Sequence, residues 1–254
     1  MIDERIAERR AAVRDDQRRD RLRRTRRTVL VVLLLAGLVA LERSPLVGLE
    51  EVEIAGTQRL STAQVSDAAD LELGTSTLRL GLQEVIERVE ALPLVHRATA
   101  RRTDPLSVRI EITERVPSLV ASGEGTSRYL DRDGVVIDDL GPDERPRSSL
   151  PVIALLAVPP PVGELVAADP ALANAHAVWA GLTGSLRAEV ATYRAAGPDE
   201  LTLELQSGIE VRFGRAERTD EKVRALGAVL DDVGDTPIGS IDVRAPQAPV
   251  VVAP

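Results

Sequence analysis

Two histidines, His96 and His176, lie far apart in a chain of 254 residues. A histidine that moves protons in a reaction needs a nucleophile or a second titratable group beside it. The spacing supplies neither. His96 falls in a strand pattern and His176 on a helical pattern near Trp179, and both read as surface or packing residues. Asp131, Asp133, Asp138 and Asp139 could in principle form a carboxylate pair or bind a cation. They flank the turn "DRDG", where a calcium-binding loop would require more oxygen ligands and a terminal glutamate. A solvated hairpin turn is the simpler reading. Lys222 is the only lysine and could serve a Ser/Lys dyad, but Glu221 and Arg224 beside it indicate an exposed charged helix face. HExxH, Walker A, GxSxG and GxGxxG motifs are absent. Without cysteine there is no disulfide, thiolate metal site or thiol nucleophile. The sequence therefore offers no catalytic, metal-binding or cofactor-binding residue, and points away from an enzyme.

What must position anything else is set by charge. Residues 1–27 hold eleven arginines against six acidic residues, a net of about +5 within a chain of −8, so the remainder is about −13. An acidic body argues against nucleic acid as a partner, since such binding rests on phosphate neutralisation by Lys and Arg. Fourteen residues, Thr28–Leu41, then pass without a charge. As a helix they span about 21 Å, short of the roughly 30 Å hydrocarbon core. That length fits a signal-peptide core, but the preceding basic region is far longer than a signal n-region, and "LVALERSP" is not a small-x-small cleavage site. Snorkelling of Arg26, Arg27 and Arg43 recovers the missing length. The sequence thus predicts an uncleaved anchor over 28–45 in the lipid bilayer. The arginine excess sets the N-terminus, 1–27, in the cytoplasm and everything after Pro45 outside it. The Arg-over-Lys bias matches a GC-rich bacterial genome.

Residues 46–116 read as strand, helix, helix, strand, strand. Leu49–Ile54 is a short strand, and Ser61 or Thr62 caps a helix through Ala69. Leu82, Val85, Ile86, Val89 and Leu92 repeat at helical spacing until Pro93. Val95–Arg102 and Leu106–Arg115 are strands about the Asp104–Pro105 turn, the second alternating cleanly through Val108, Ile110 and Ile112. The last two strands form a hairpin, and the first joins them through the two-helix connection.

Residues 117–245 read as a second α+β unit. "SRYLDRDGVVIDDL" is a hairpin about Asp133–Gly134. "LPVIALLAVPPPVGEL" is an apolar strand closed by Pro159–Pro161, and Pro170–Leu182 is a helix. Strands follow at Ala188–Tyr193, Leu201–Leu205 and Ile209–Phe213, the last two a hairpin about Ser207–Gly208. Thr219 or Asp220 caps a helix carrying Val223, Leu226, Val229 and Leu230. "IDVRAP" is a last strand, and 246–254 form a tail punctuated by Pro246 and Pro249.

The phrases "VEIAGTQRLS" and "ERVEALPLVHRATARRTDPLSVRIEITERVPSLV" resemble a POTRA domain. A single such unit after one anchor, followed by "YLDRDGVVID", "LPVI", "LQSGIEVRFGR", "EKVRALGAVL" and "SIDVRAP", is similar to the FtsQ/DivIB family of bacterial cell division proteins. Ala154 and Leu155 stand where that family often has a glycine. The resemblance implies a POTRA-type βααββ domain and a second mixed domain with an antiparallel sheet and flanking helices. It further implies a non-catalytic hub at the division septum that influences septal peptidoglycan synthesis. FtsB/FtsL-like proteins would add a strand at the C-terminal edge, and other division proteins would dock on the POTRA-like unit. Mapped by motif, the contact falls on Arg215, Ile241, Asp242, Val243, Arg244, Ala245, Gln247 and Val250. A proline at Val243 is then expected to weaken binding without unfolding the domain. The alternatives are an anchored or secreted envelope enzyme, or a chaperone-like POTRA module of an export system.

Overall fold

The alternation of Val108, Ile110 and Ile112 becomes the middle strand of a three-stranded sheet. The computed structural model describes residues 26–37, 40, 48–77, 80–141, 150–234 and 236–253. Residues 26–37 are helical (α1). The expected anchor, 28–45, lies partly outside the described residues. Among these, no helix is long and apolar enough to cross a membrane.

The first unit comprises β1 (Glu51–Ala55), α2 (Thr62–Ala69), α3 (Leu82–Glu90), β2 (Val95–Asp104) and β3 (Ser107–Glu114). Its sheet order is β1-β3-β2, with β3 parallel to β1 and antiparallel to β2. Ser61 and Gln64 form a capping box: each side chain accepts the other's backbone N–H, which satisfies donors that the first helical turn leaves open. Val65 and Ala69 of α2 and Val85 and Val89 of α3 cover Val108, Ile110 and Ile112. The loop after β1 is locked twice. Gly56 takes φ +88°, and a Cβ there would stand 2.0 Å from the Ile112 carbonyl oxygen. Glu114 then accepts the N–H groups of Gln58, Arg59 and Leu60 at 2.7–3.0 Å.

The second unit opens with β4 (Pro117–Gly123), a strand the pattern does not announce. Leu119, Val120 and Ala121 are all buried, so both faces are apolar and no alternation exists. There follow β5 (Thr126–Asp131), β6 (Val136–Leu140), β7 (Val152–Leu155), α4 (Pro170–Gly181), α5 (Gly184–Glu189), β8 (Val190–Gly197), β9 (Glu200–Leu205), β10 (Glu210–Arg212), α6 (Thr219–Val233), β11 (Ser240–Asp242) and β12 (Val250–Val252). One sheet takes up all nine strands in the order β12-β11-β10-β9-β8-β7-β4-β5-β6. It is mixed: β7 is parallel to β4 and β8, and β10 is parallel to β11. Asp169 caps α4 by accepting the N–H groups of Ala171 and Leu172, and Pro170 begins the helix where no donor is needed. The cap position of α6 is Arg218, with φ +51° and no side-chain cap bond, rather than Thr219 or Asp220. The helices α4 and α6 bury Leu172, Val178, Val223 and Leu226 against Tyr193, Leu203, Val211, Phe213 and Ile241.

The two units meet on the sheet's opposite face. Leu94, between α3 and β2, packs with Val120, Tyr129, Ile137 and Leu140. Two ion pairs flank this contact, Arg115–Asp131 at 2.5 Å and Arg59–Asp138 at 2.6 Å, and His96 Nδ1 lies 3.5 Å from the Asp133 carboxylate beside them.

Candidate functional site

The residues with chemical potential are engaged in structure. Asp131, buried, holds Arg115 and also accepts the N–H groups of Asp133 and Val135. His96, Asp131 and Asp133 could offer ligand atoms within 4.8 Å of one another, but Arg115 Nη1 lies 2.5 Å from Asp131 and 3.6 Å from Asp133. A guanidinium already supplies the positive charge that a cation would bring. Asp138 pairs with Arg59 and Asp139 with Arg128. The expectation of a merely solvated turn is therefore corrected: three of its four aspartates brace the first unit. His176 Nε2 lies 3.2 Å from the Arg132 carbonyl, and its ring packs on Trp179 at 5.5 Å. Burial lowers its pKa, against the opposing hydrogen bond and the charges of Asp131 and Asp133. No hydroxyl nucleophile is bonded to either histidine among the described residues.

Lys222 corrects a second expectation. It is buried rather than on an exposed face. Its Nζ donates to the carbonyls of Phe213 at 3.0 Å and Arg215 at 2.7 Å, and it lies 5.0 Å from the Phe213 ring centroid. Burial, then the Arg218 charge, lowers its pKa. The pattern misled because the first turn of α6 lies beneath the turn that follows β10, so flanking charges point out while Lys222 points in.

The surface left open is the end of the large sheet. Ile241 and Asp242 sit in β11, one strand in from the edge, because residues 250–252 fold back as β12. β12 is last in the strand order, and its outer side pairs with no strand among the described residues. Val250, Val251 and Val252 are 56%, 42% and 51% exposed. Register places Val250 beside Asp242 and Val252 beside Ser240, with Val251 beside buried Ile241. Natural edges are usually blunted by charge or bulges; this one is apolar and β-branched. The run "VVV" was the available signal, masked by Pro246 and Pro249 before it.

The predicted contact residues gather at this corner in unequal roles. Ile241 and Val243 are fully buried, and the Val243 N–H donates to the Arg212 carbonyl. A proline at Val243 would therefore break the domain's own hydrogen bonding, which overturns the expectation that such a substitution leaves the fold intact. Arg244 grips Asp242 at 2.5–3.0 Å. That bond, ahead of the opposing burial, lowers the Asp242 pKa. Arg215 pairs with Asp199 at 2.5 Å and Glu217 at 3.4 Å, and its bond lowers the Asp199 pKa. Ala245 and Gln247 lie in the β11–β12 connection, both exposed, where the Ala248 N–H closes a turn on the Ala245 carbonyl. Val250 opens β12.

The fold defines the class: an α+β protein with a POTRA-type unit followed by a β-rich unit. Residues 47–115 match the family described as "POTRA domain, FtsQ-type", and residues 119–244 match "Cell division protein FtsQ/DivIB, C-terminal". The chain belongs to the FtsQ/DivIB family of cell division proteins. It is 30% identical over 224 residues to the cell division protein FtsQ of Mycobacteroides abscessus, covering 88% of this chain and 67% of that one. With FtsQ of Mycobacterium leprae it shares 31% identity over 213 residues, covering 84% and 58%. The chain thus spans between 58% and 67% of the length of these two curated relatives. The major extracytoplasmic domain of DivIB from Geobacillus stearothermophilus aligns at 14% identity with a TM-score of 0.33, covering 49% of this chain and 98% of that one.

Proposed function

We propose that this chain is a membrane-anchored, non-catalytic hub of the bacterial division machinery that receives a partner's strand at β12 and thereby influences septal peptidoglycan synthesis. Family membership supports the division role. The observation that carries the docking reading is the open edge of three exposed valines at the end of a nine-stranded sheet. An added strand would satisfy its outward N–H and C=O groups, and alternate side chains would supply specificity. By family resemblance the partner is an FtsB/FtsL-like protein, and the POTRA-type unit recruits the chain to the septum. The anchor reading is supported by α1. Seven consecutive apolar side chains, Val29–Leu35, are each more than half exposed, and a lipid environment would cover them. The N-terminus then faces the cytoplasm and both units lie outside it.

The test is capture of an FtsB-like partner by the full chain in detergent or in cells. The double substitution Val250→Asp/Val252→Asp places charge on the open face of the edge. Capture should fall at least tenfold while midcell localisation persists. Unchanged capture with a folded domain would place the interface elsewhere.

A further inference from the structure

The only lysine and the only asparagine of the chain are both spent on one turn. Lys222 Nζ donates to the carbonyls of Phe213 and Arg215. The Asn174 side chain donates to the Gly214 carbonyl at 3.0 Å and accepts the Ala216 N–H at 2.7 Å. Four successive residues thus have a backbone group held by two side chains, one from α6 and one from α4. Buried backbone groups need partners, yet these carbonyls find theirs in side chains rather than a ladder, so the turn depends on those two residues.

This turn is the floor of the C-terminal corner. Gly214 adopts φ +70°, and a Cβ there would stand 3.1 Å from Arg244 Cγ; the Arg244 stem lies directly on the turn. The chain then passes through 245–249 and returns as β12. Its one side-chain tie to the first turn of α6 among the described residues is Gln247, which accepts from Arg218 at 3.3 Å and donates to Glu221 at 3.2 Å. The residues that hold the connection, Arg218 and Glu221, therefore sit at the cap and in the first turn of α6, just before Lys222, which holds the turn beneath it. β12 has only three residues of ladder, too few to fix its own place (a short strand gains little against its ordering entropy).

We propose that Lys222 is the positioning residue of the docking edge: with Asn174 and Gln247 it seats the 213–216 turn and the 244–249 connection so that β12 is presented in register as an edge strand. This rests on the reading of β12 as the docking strand. Lys222 touches no partner in this scheme and acts through Phe213, Arg215 and Arg244.

Hydrogen–deuterium exchange of the full chain in micelles tests it. Lys222→Met should raise exchange over 240–253 about tenfold, the weight of one or two lost hydrogen bonds. Protection over 117–131 and 48–77 should stay as it was. Gln247→Ala leaves the core untouched and should show the same local loss, smaller in size. Uniform loss across the second unit in Lys222→Met, or unchanged exchange over 240–253 in Gln247→Ala, would overturn the proposal. Capture of the strand partner separates it from the docking reading. If Val250→Asp/Val252→Asp leaves capture intact, the docking reading fails; if that variant abolishes capture while both positioning variants bind at full strength, the positioning role fails and the docking reading stands.

Discussion

Arg115 Nη1 stands 2.5 Å from the Asp131 carboxylate, and the two side chains are only 17% and 3% exposed. The contact joins the residue after β3 in the first unit to the last residue of β5 in the second. Removing the cation leaves a buried carboxylate whose remaining partners are the N–H groups of Asp133 and Val135. Arg115→Met should therefore cost on the order of 3 kcal/mol, read as a lower urea midpoint for the full chain. A change below about 0.5 kcal/mol would show that the pair contributes no more than an exposed one.

Glu114 gives a pH dependence with a definite sign. Burial alone would raise its pKa, but the N–H groups of Gln58, Leu60 and Arg59 and the Arg59 charge outweigh it, and the net shift is downward from 4.5. A carboxylate with a lowered folded pKa adds stability that is fully present above its unfolded value and is lost as pH falls through the folded value. Glu114→Gln should thus be less stable than the unsubstituted chain at neutral pH. The gap should narrow as pH drops below about 4.5, since only the unsubstituted chain then loses this contribution. Thermal unfolding at a series of pH values checks this; a gap constant with pH would remove the linkage.

How much of this was legible depended on whether a residue's surroundings lay nearby in sequence. β3 was visible because one of its faces is buried and the other solvated, so Val108, Ile110 and Ile112 alternate. α3 was visible for the same reason at helical period. β4 was not, because the first unit and the helices cover both its faces. β12 was not, because three valines after two prolines carry no period at all. The turn aspartates read as solvated since their partners, Arg59, His96 and Arg115, are far away in sequence and arrive only when the two units dock. Lys222 read as exposed since local charge patterning reports the side of a helix facing water, whereas the carbonyls it binds come from a turn crossing beneath. Arg215 and Arg244 were found by motif, but motif could not show that each already holds an acidic neighbour.

Gly56 tests the geometry of the first unit. Its φ of +88° is strained for any residue with a Cβ, and that atom would collide with the Ile112 carbonyl. Gly56→Ala should destabilise the POTRA-type unit by at least about 2 kcal/mol. Exchange over 48–77 and 95–114 should rise while the second unit keeps its protection. Equal loss in both units would mean that the joint, rather than this turn, limits stability.

Arg215 decides whether the corner reads charge as well as shape. It is exposed and already bonded to Asp199 and Glu217, so an incoming carboxylate must displace one of them. Exposed pairs contribute little to stability and yield readily, while a guanidinium that meets a partner carboxylate bidentately gains direction. Arg215→Glu should leave the thermal midpoint nearly unchanged and reduce strand-partner capture about tenfold, with most of the loss in the salt-sensitive part of binding. In the unsubstituted chain capture should weaken as salt rises; in the variant it should weaken less. Equal salt sensitivity in both, with capture equal as well, would assign Arg215 to a surface ion pair with Asp199 and leave recognition to the backbone and valines of β12.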